Sequence, residues 1–244
     1  MGACWGSFLN VVAYRLIRGI SLHSRSHCTV CVKKIAWYDL FPIISWLHLW
    51  GKCRRCSASI SVLYPLIEIV TGFMCLAVYM FIPPIYQLSY FIFFSALIIT
   101  LRTDIENMVV VRYFTLGLIP VGIMASFLGL LPLHVTHSIM GALFGYGLLW
   151  VIRASYWRIR NIEGMGEGDL ELLAGIGSFI GVTGCWITLL IGSLCGSLYG
   201  LILIAFFKKE RMVKIPFGPF LIIGATFYVF FTTFLQSFFF QNLL

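Results

Sequence analysis

The sequence predicts an all-α polytopic membrane protein of about eight transmembrane helices, with a small cytoplasmic zinc-binding loop domain. Three observations predict it. The 244 residues are 60% hydrophobic and only 11% charged, with 22 Phe and a mean hydropathy of +0.97, whereas a soluble domain carries about 25% charged residues. The apolar residues fall into runs of roughly membrane-crossing length. The cations are confined to alternate connections between those runs.

The apolar runs lie at 3–17, 63–82, 86–101, 113–132, 135–152, 170–183, 185–206 and 216–240. A helix needs about 20 residues to cross the hydrocarbon, so 86–101 and 170–183 are short. The first run is also short before Arg15. It reads as a span with a clipped start, because a cleavable signal peptide would need the basic n-region that is missing. Three parts follow: a first transmembrane helix over 1–17, a cytoplasmic four-cysteine loop over 18–62, and a seven-helix membrane core over 63–244.

Charge fixes the expected topology. One loop holds Arg15, Arg18, Arg25, Lys33, Lys34, Lys52, Arg54 and Arg55, and the next basic one Arg102 and Arg112. Arg153, Arg158 and Arg160 follow, then Lys208, Lys209, Arg211 and Lys214, which completes all 17 Lys and Arg. The intervening connections have none. By the positive-inside rule the basic loops are cytoplasmic and both termini face outward. The pI of 9.2 and net charge of +8 then reflect loops facing anionic lipid, with no nucleic acid as partner.

The most distinctive stretch is Gly164-Met165-Gly166-Glu167-Gly168-Asp169-Leu170. Alternate glycines suit a tight turn or close backbone packing, and Asp169 would open a helix, where the dipole favours an anion. An N-cap aspartate after a loop is the plain reading. The topology, however, puts Asp104, just after the third run, and Asp169, just before the sixth, at the same membrane face on different helices. Carboxylates sharing such a site hold one proton between them. The ionised member can activate water and the protonated one can polarise a peptide carbonyl, which is aspartic-protease chemistry. The alternative is two solvated loop acids.

The first loop carries Cys28-Thr-Val-Cys31 and Cys53-Arg-Arg-Cys56. Two CxxC pairs can give four thiolates to a tetrahedral zinc, and a small loop without a core gains its stability from such a metal. Disulfides or a redox CxxC compete, but a cytoplasmic loop disfavours stable disulfides. Cys4, Cys75, Cys185 and Cys195 sit in spans as small packing residues. Glu68, inside the second run, reads as a hydrogen-bonding group rather than a catalytic one. His134 and His137 lie at the outward face, away from both aspartates. Gly192, Gly196 and Gly200 would let another helix approach closely, and Pro216-Phe217-Gly218-Pro219 is a natural helix start.

In these residues the chain resembles the type IV prepilin peptidases, GxGD membrane aspartic proteases. The likeness begins at Gly6-Ser7-Phe8-Leu9-Asn10-Val11-Val12 with Tyr14-Arg15-Leu16, and runs through both CxxC pairs, Trp37-Tyr38-Asp39 and Ser45-Trp46-Leu47. It continues with Tyr64-Pro65-Leu66-Ile67-Glu68, Asp104-Ile105-Glu106, the glycine-rich turn, and Pro216-Phe217-Gly218-Pro219-Phe220. The resemblance implies a multi-pass protein of the bacterial inner membrane, with Asp104 and Asp169 catalytic at the cytoplasmic face. Its substrates would be type IV prepilins or type II secretion pseudopilins, cut at a basic leader. It also implies N-methylation of the new N-terminus with S-adenosylmethionine, and zinc on Cys28, Cys31, Cys53 and Cys56.

The chain departs from the family pattern at three places. Glu171 stands where x-Lys usually follows the aspartate of GxGD. Val111 and Arg112 stand where Pro-Asp usually follows the first aspartate. The N-terminal span is short. Residues two apart on a helix point to different faces, so Glu171 is expected to project away from the Asp104–Asp169 line. With Arg102 and Arg112 available to offset it, Glu171 and Arg112 read as a charge exchange between two neighbouring sites. Two other classes stay open: an inactive homologue serving assembly, and a transporter with Glu68, Asp104 and Asp169 as a proton relay.

Overall fold

Backbone polar groups in hydrocarbon must be satisfied within their own segment, and this chain meets that demand with helices. The computed structural model describes residues 1–161, 165–207 and 216–241. It contains α1 (Gly2–Arg18), α2 (Ile44–His48), α3 (Leu63–Phe81), α4 (Pro84–Asn107), α5 (Arg112–Phe127), α6 (Val135–Arg160), α7 (Glu167–Phe207) and α8 (Gly218–Gln241), with one 3-10 turn at Trp37–Leu40. Among the described residues α3, α4, α6 and α7 are long and apolar enough to cross a membrane, and α5 and the first part of α8 are shorter apolar helices. The protein is an all-α polytopic membrane protein. The chain forms two compact units, Met1–Met80 and Phe81–Leu244.

In the first unit α1 stops at Gly19, whose φ of 63° is the left-handed conformation that glycine adopts without a steric cost. The Gly19 N–H donates to Leu16 O at 3.3 Å and the Ile20 N–H to Arg15 O at 2.9 Å, satisfying the last carbonyls. α1 lies against α3 at Gly6, where a Cβ would come within 2.9 Å of both Glu68 and Thr71. Asn10, almost fully buried, ties the same pair by donating Nδ2 to Tyr64 O at 3.1 Å.

The second unit is built around the first part of α7. Helical geometry fails at Gly181, with φ 72° and ψ −175°, and the chain doubles back there. Cys185 Sγ lies 3.8 Å from Leu173 O, whereas twelve residues of straight helix would separate them by about 18 Å. The runs expected at 170–183 and 185–206 are therefore two arms, 167–180 and 182–207, with the reversal at Gly181. Every residue from 170 to 181 is buried. An arm wrapped by protein need not reach across the hydrocarbon by itself, which accounts for its shortness.

Burial of apolar surface gives helices little reason to associate in lipid, so close approach and polar contacts must do it. α6 meets the inner arm backbone to backbone. A Cβ at Gly141 would strike the Gly177 carbonyl, one at Gly177 the Gly141 carbonyl, and one at Gly145 would sit 2.5 Å from Leu173 O. α5 approaches at Gly175, where a Cβ would be 2.8 Å from Thr115 O. Ser138 Oγ donates to Ser178 O at 2.6 Å across α6 and α7. α4 enters through Phe93, stacked on Phe179 with ring centroids 4.7 Å apart, and through Phe94, stacked on Phe230 at 5.5 Å. Gly192 and Gly196 pack on Phe220 of α8, as their spacing suggested.

Several helix ends differ from the expected runs, α5 stopping at Phe127 and α6 continuing to Arg160, and the end of α4 bears on the site. α4 runs past residue 101 to Asn107, because Arg102 and Glu106 pair at i,i+4 with N–O 2.5 Å and carry the helix through its charged end. Met108, at φ 53°, stops it and donates its N–H to Asp104 O at 2.9 Å. Asp104 thus sits in the last turn of α4 rather than in the connection after it.

Gly177→Ala should open the α6–α7 contact, since overpacking costs about 1–3 kcal/mol. Gly147→Ala, on α6 with nothing within 4 Å of an added Cβ, should hold or raise stability. Thermal inactivation of both variants in one detergent checks the contrast, and equal midpoints would count against so close an approach.

Candidate active site and metal centre

Three helix ends converge on Asp104. The carboxylate is buried at the C-terminal end of α4, and α8 begins directly against it: a Cβ at Gly218 would lie 2.6 Å from Asp104 Oδ2. The Gly218 N–H faces the carboxylate, at the positive end of the α8 dipole. Oδ2 is nevertheless buried without a hydrogen-bond partner among the described residues. Asp169 lies in the first turn of α7, half-buried, near enough for its charge and that of Asp104 to act on one another. Its position depends on Gly168, where a Cβ would run into Val110 Cβ at 2.5 Å. Gly168 lets the start of α7 press on the connection that leaves Asp104. Gly166 is not tight, with its nearest contact, Asp169 Oδ2, at 4.0 Å. Gly164 lies outside the described residues.

Gly218 is the residue that sequence reasoning missed. Pro216-Phe217-Gly218-Pro219 reads as a helix start, and it is one, but its glycine is needed because the Asp104 carboxylate occupies the space of a side chain.

The four cysteines of the loop come together, with all four Sγ atoms within 4.8 Å of one another. The loop makes them with one structure built twice. The Cys28 N–H donates to Lys33 O, Val32 N–H to Cys28 O and Ile35 N–H to Ser26 O; the Cys53 N–H donates to Ala58 O, Ser57 N–H to Cys53 O and Ile60 N–H to Gly51 O. Each partner in the second set stands 25 residues after its counterpart, as 53 follows 28. Val32 and Ser57 share a φ of 56°, and the bridges His27–Lys34 and Lys52–Ser59 close the two knuckles. Backbone N–H groups of Cys31 and Val30 pull the Cys28 thiol down to about 6. Cys56, against an Ala58 N–H that favours its thiolate, is pushed up to about 11 by desolvation and by the other three sulfurs. Four thiolates this close need a cation between them, and the donor set fits a metal ion.

Three other residues singled out by the sequence have contacts of their own. Glu68 accepts the Ile43 N–H on Oε2 at 2.7 Å, a structural role. His134 stands at the start of α6, its Nδ1 3.3 Å from Thr136 Oγ1. Cys185 is buried beside Gly141, 3.5 Å from its carbonyl oxygen.

Residues 1–82 match the family described as the bacterial peptidase A24 N-terminal domain, and residues 91–201 match the type IV leader peptidase family. A prepilin leader peptidase/N-methyltransferase of Aeromonas salmonicida is 34% identical over 202 residues, 82% of this chain and 69% of that protein. The chain belongs to the type IV leader peptidase family. A prepilin leader peptidase/N-methyltransferase of Aeromonas hydrophila is 32% identical over 245 residues, 90% of this chain and 84% of that protein. A type 4 prepilin-like proteins leader peptide-processing enzyme of Escherichia coli O78:H11 is 32% identical over 250 residues, covering 93% of this chain and 91% of its own. No solved structure matches.

Within this leader peptidase fold the two unusual charges meet. Arg112, opening α5, donates Nε and Nη2 to Glu171 Oε1 at 2.7 and 2.5 Å, and Thr115 Oγ1 lies 3.4 Å from Oε2. Glu171 is 3% exposed on the inner arm of α7. It turns toward α5, as two-residue spacing from Asp169 requires, and is neutralised by a direct bridge rather than by a distant field. Glu167 extends the set, 3.5 Å from Arg112 Nη2 and 3.4 Å from Arg153 Nη1 on α6. Arg102 donates Nη1 to Glu106 within α4.

Arg112→Asp removes the cation from the buried Glu171 carboxylate and sets a like charge beside it, so it should lower the melting temperature by several degrees, on the order expected for a lost buried partner. Glu171→Lys sets two cations together and should do the same, while Glu171→Lys with Arg112→Asp should recover most of the loss. Melting temperatures of the four proteins in detergent test the pair; purely additive effects would mean that the bridge contributes nothing.

Proposed function

We propose that this chain is a prepilin leader peptidase that cuts the basic leader from type IV prepilins or type II secretion pseudopilins and N-methylates the new N-terminus. It would work in the bacterial inner membrane with its site facing the cytoplasm, a reading supported by the confinement of the cations to alternate loops. The observation that carries the reading is the convergence of Asp104, at the end of α4, and Asp169, at the start of α7, near enough for their charges to act on one another, with the N-terminus of α8 against Asp104.

Two carboxylates close together hold one proton between them. The ionised member takes a proton from a water, whose oxygen adds to the scissile carbonyl carbon. The protonated member gives its proton to the carbonyl oxygen as that bond polarises. As the tetrahedral intermediate collapses the C–N bond breaks, the carboxyl that took the water's proton passes it to the leaving amine, and the other carboxylate takes back a hydroxyl proton as the carbonyl re-forms. The buried Oδ2 of Asp104, without a hydrogen-bond partner among the described residues, suits an atom whose partner arrives with the substrate.

The four cysteines would hold a structural zinc, joining the two knuckles into one loop domain. S-adenosylmethionine would supply the methyl group when bound. The relatives named as both peptidase and N-methyltransferase support the double activity.

Co-expression with a prepilin, followed by the mass and N-terminal residue of the product, tests both steps. Asp104→Asn and Asp169→Asn should each abolish cleavage, with the double variant no worse, because the two act as a unit. Substantial processing by either single variant would remove the mechanism.

The purified protein should carry about one zinc per chain, and Cys28→Ser or Cys53→Ser should lower that content and loosen the loop. Metal analysis and limited proteolysis read both effects. A stoichiometric metal surviving both substitutions would rule out the four-cysteine centre.

A further inference from the structure

The loop between α1 and α3 sorts its apolar residues into two sets. Trp46 turns inward: its Nε1 donates to Ile60 O at 3.1 Å, and Gly51 packs on its ring, where a Cβ would come within 2.8 Å. Trp37, Phe41, Ile44, Leu47 and Trp50 turn outward, with Trp37 72%, Ile44 69% and Trp50 87% exposed. All five lie within the stretch 37–50, which is no membrane span. Isolated exposed apolar residues need no explanation, but a concentration of them marks a contact surface.

The backbone is held so as to present them. Ile43 has φ 64° and ψ −54°, a region that a β-branched residue scarcely enters. The Ile44 N–H closes on Pro42 O at 2.6 Å, a γ-turn of the strained kind. The buried Glu68 carboxylate of α3 fixes this turn by accepting the Ile43 N–H at 2.7 Å. A membrane helix thereby latches a strained turn that opens α2, the element carrying Ile44 and Leu47.

Charge and tether say what covers the surface. Residues 18–62 contain seven Lys and Arg against one acid, Asp39, and Asp39 is taken by Arg54 at 2.7 Å. The loop runs directly into α1 at one end and, at the other, into α3, which is long and apolar enough to cross a membrane, so its C-terminal end is tethered at the bilayer. Tryptophan at the headgroup level, aliphatic side chains just below it and cations around them make an interfacial anchor. We infer that the stretch 37–50 is embedded in the headgroup region of the bilayer and clamps the four-cysteine loop to anionic lipid. The inference stands on the loop alone and does not depend on the peptidase reading.

The test uses the full chain in phosphatidylcholine/phosphatidylglycerol vesicles containing lipids brominated high on the acyl chain. The emission of Trp37 and Trp50 is taken as the difference between the native protein and the Trp37→Phe/Trp50→Phe variant, with helicity checked by circular dichroism. The expected result is a roughly twofold loss of that difference emission, with low access to aqueous iodide. Bromine placed on phosphatidylglycerol should quench more than the same fraction on phosphatidylcholine. Open access to iodide without bromine quenching would show a solvated loop. Protection from both quenchers would show a protein cover, such as a second copy. Either result overturns the proposal, and equal quenching by the two brominated lipids overturns its electrostatic part.

Discussion

The backbone contact between α6 and the inner arm of α7 is the constraint on which the second unit depends. Gly141 and Gly177 place each other's carbonyl where a side chain would stand. With that gap closed, the arm from 170 to 181 is surrounded on every side, and α5, α6 and α8 can all rest on it. Its N-terminus is then fixed where Gly168 meets Val110, which sets Asp169 beside the end of α4. In lipid such proximity has to come from small residues and hydrogen bonds rather than from apolar burial. The inner arm accordingly carries Gly175, Gly177 and Ser178 at its contacts with α5 and α6.

Much of this could be read from the sequence, because helix position in a membrane follows hydropathy and charge. The apolar runs fall on α1 and α3 to α8, and Asp104 and Asp169 stand at helix ends that come together. The failures share a cause: a local pattern is silent about its neighbour. Arg102, Asp104 and Glu106 look like a polar connection, yet an i,i+4 pair extends α4 through them. The apolar runs 170–183 and 185–206 put the break at Gly184, whereas it is Gly181 that takes the positive φ. The Gly192, Gly196 and Gly200 spacing drew attention, but the tighter contacts are at Gly141 and Gly145. Gly218 could not be linked to Asp104 without the fold.

The four-cysteine loop shows the converse case, in which local pattern contains nearly everything. Ser26 to Ile35 and Gly51 to Ile60 close the same set of hydrogen bonds around the same two cysteine positions, so the CxxC spacing alone determines each knuckle. Between them lies a segment of opposite character, where Ile43 is strained and Glu68 reaches in from α3. The glutamate was legible as a hydrogen-bonding group; what it bonds to was not.

The doubled-back shape of α7 also bears on how the protein is put into the membrane. Its inner arm carries Glu167, Asp169 and Glu171 within its first two turns, and acidic groups of this kind strongly oppose entry of a lone helix into lipid. The outer arm, 182–207, is free of charge over its apolar length. Joined at Gly181, the arms form a helical hairpin whose greasy half can carry the acidic half in as a single insertion unit. α5 and α6 precede it in the chain, so during synthesis Arg112 and Arg153 emerge before the acids that they pair with. The order of the sequence thus delivers a cationic seat first and its acidic occupant second.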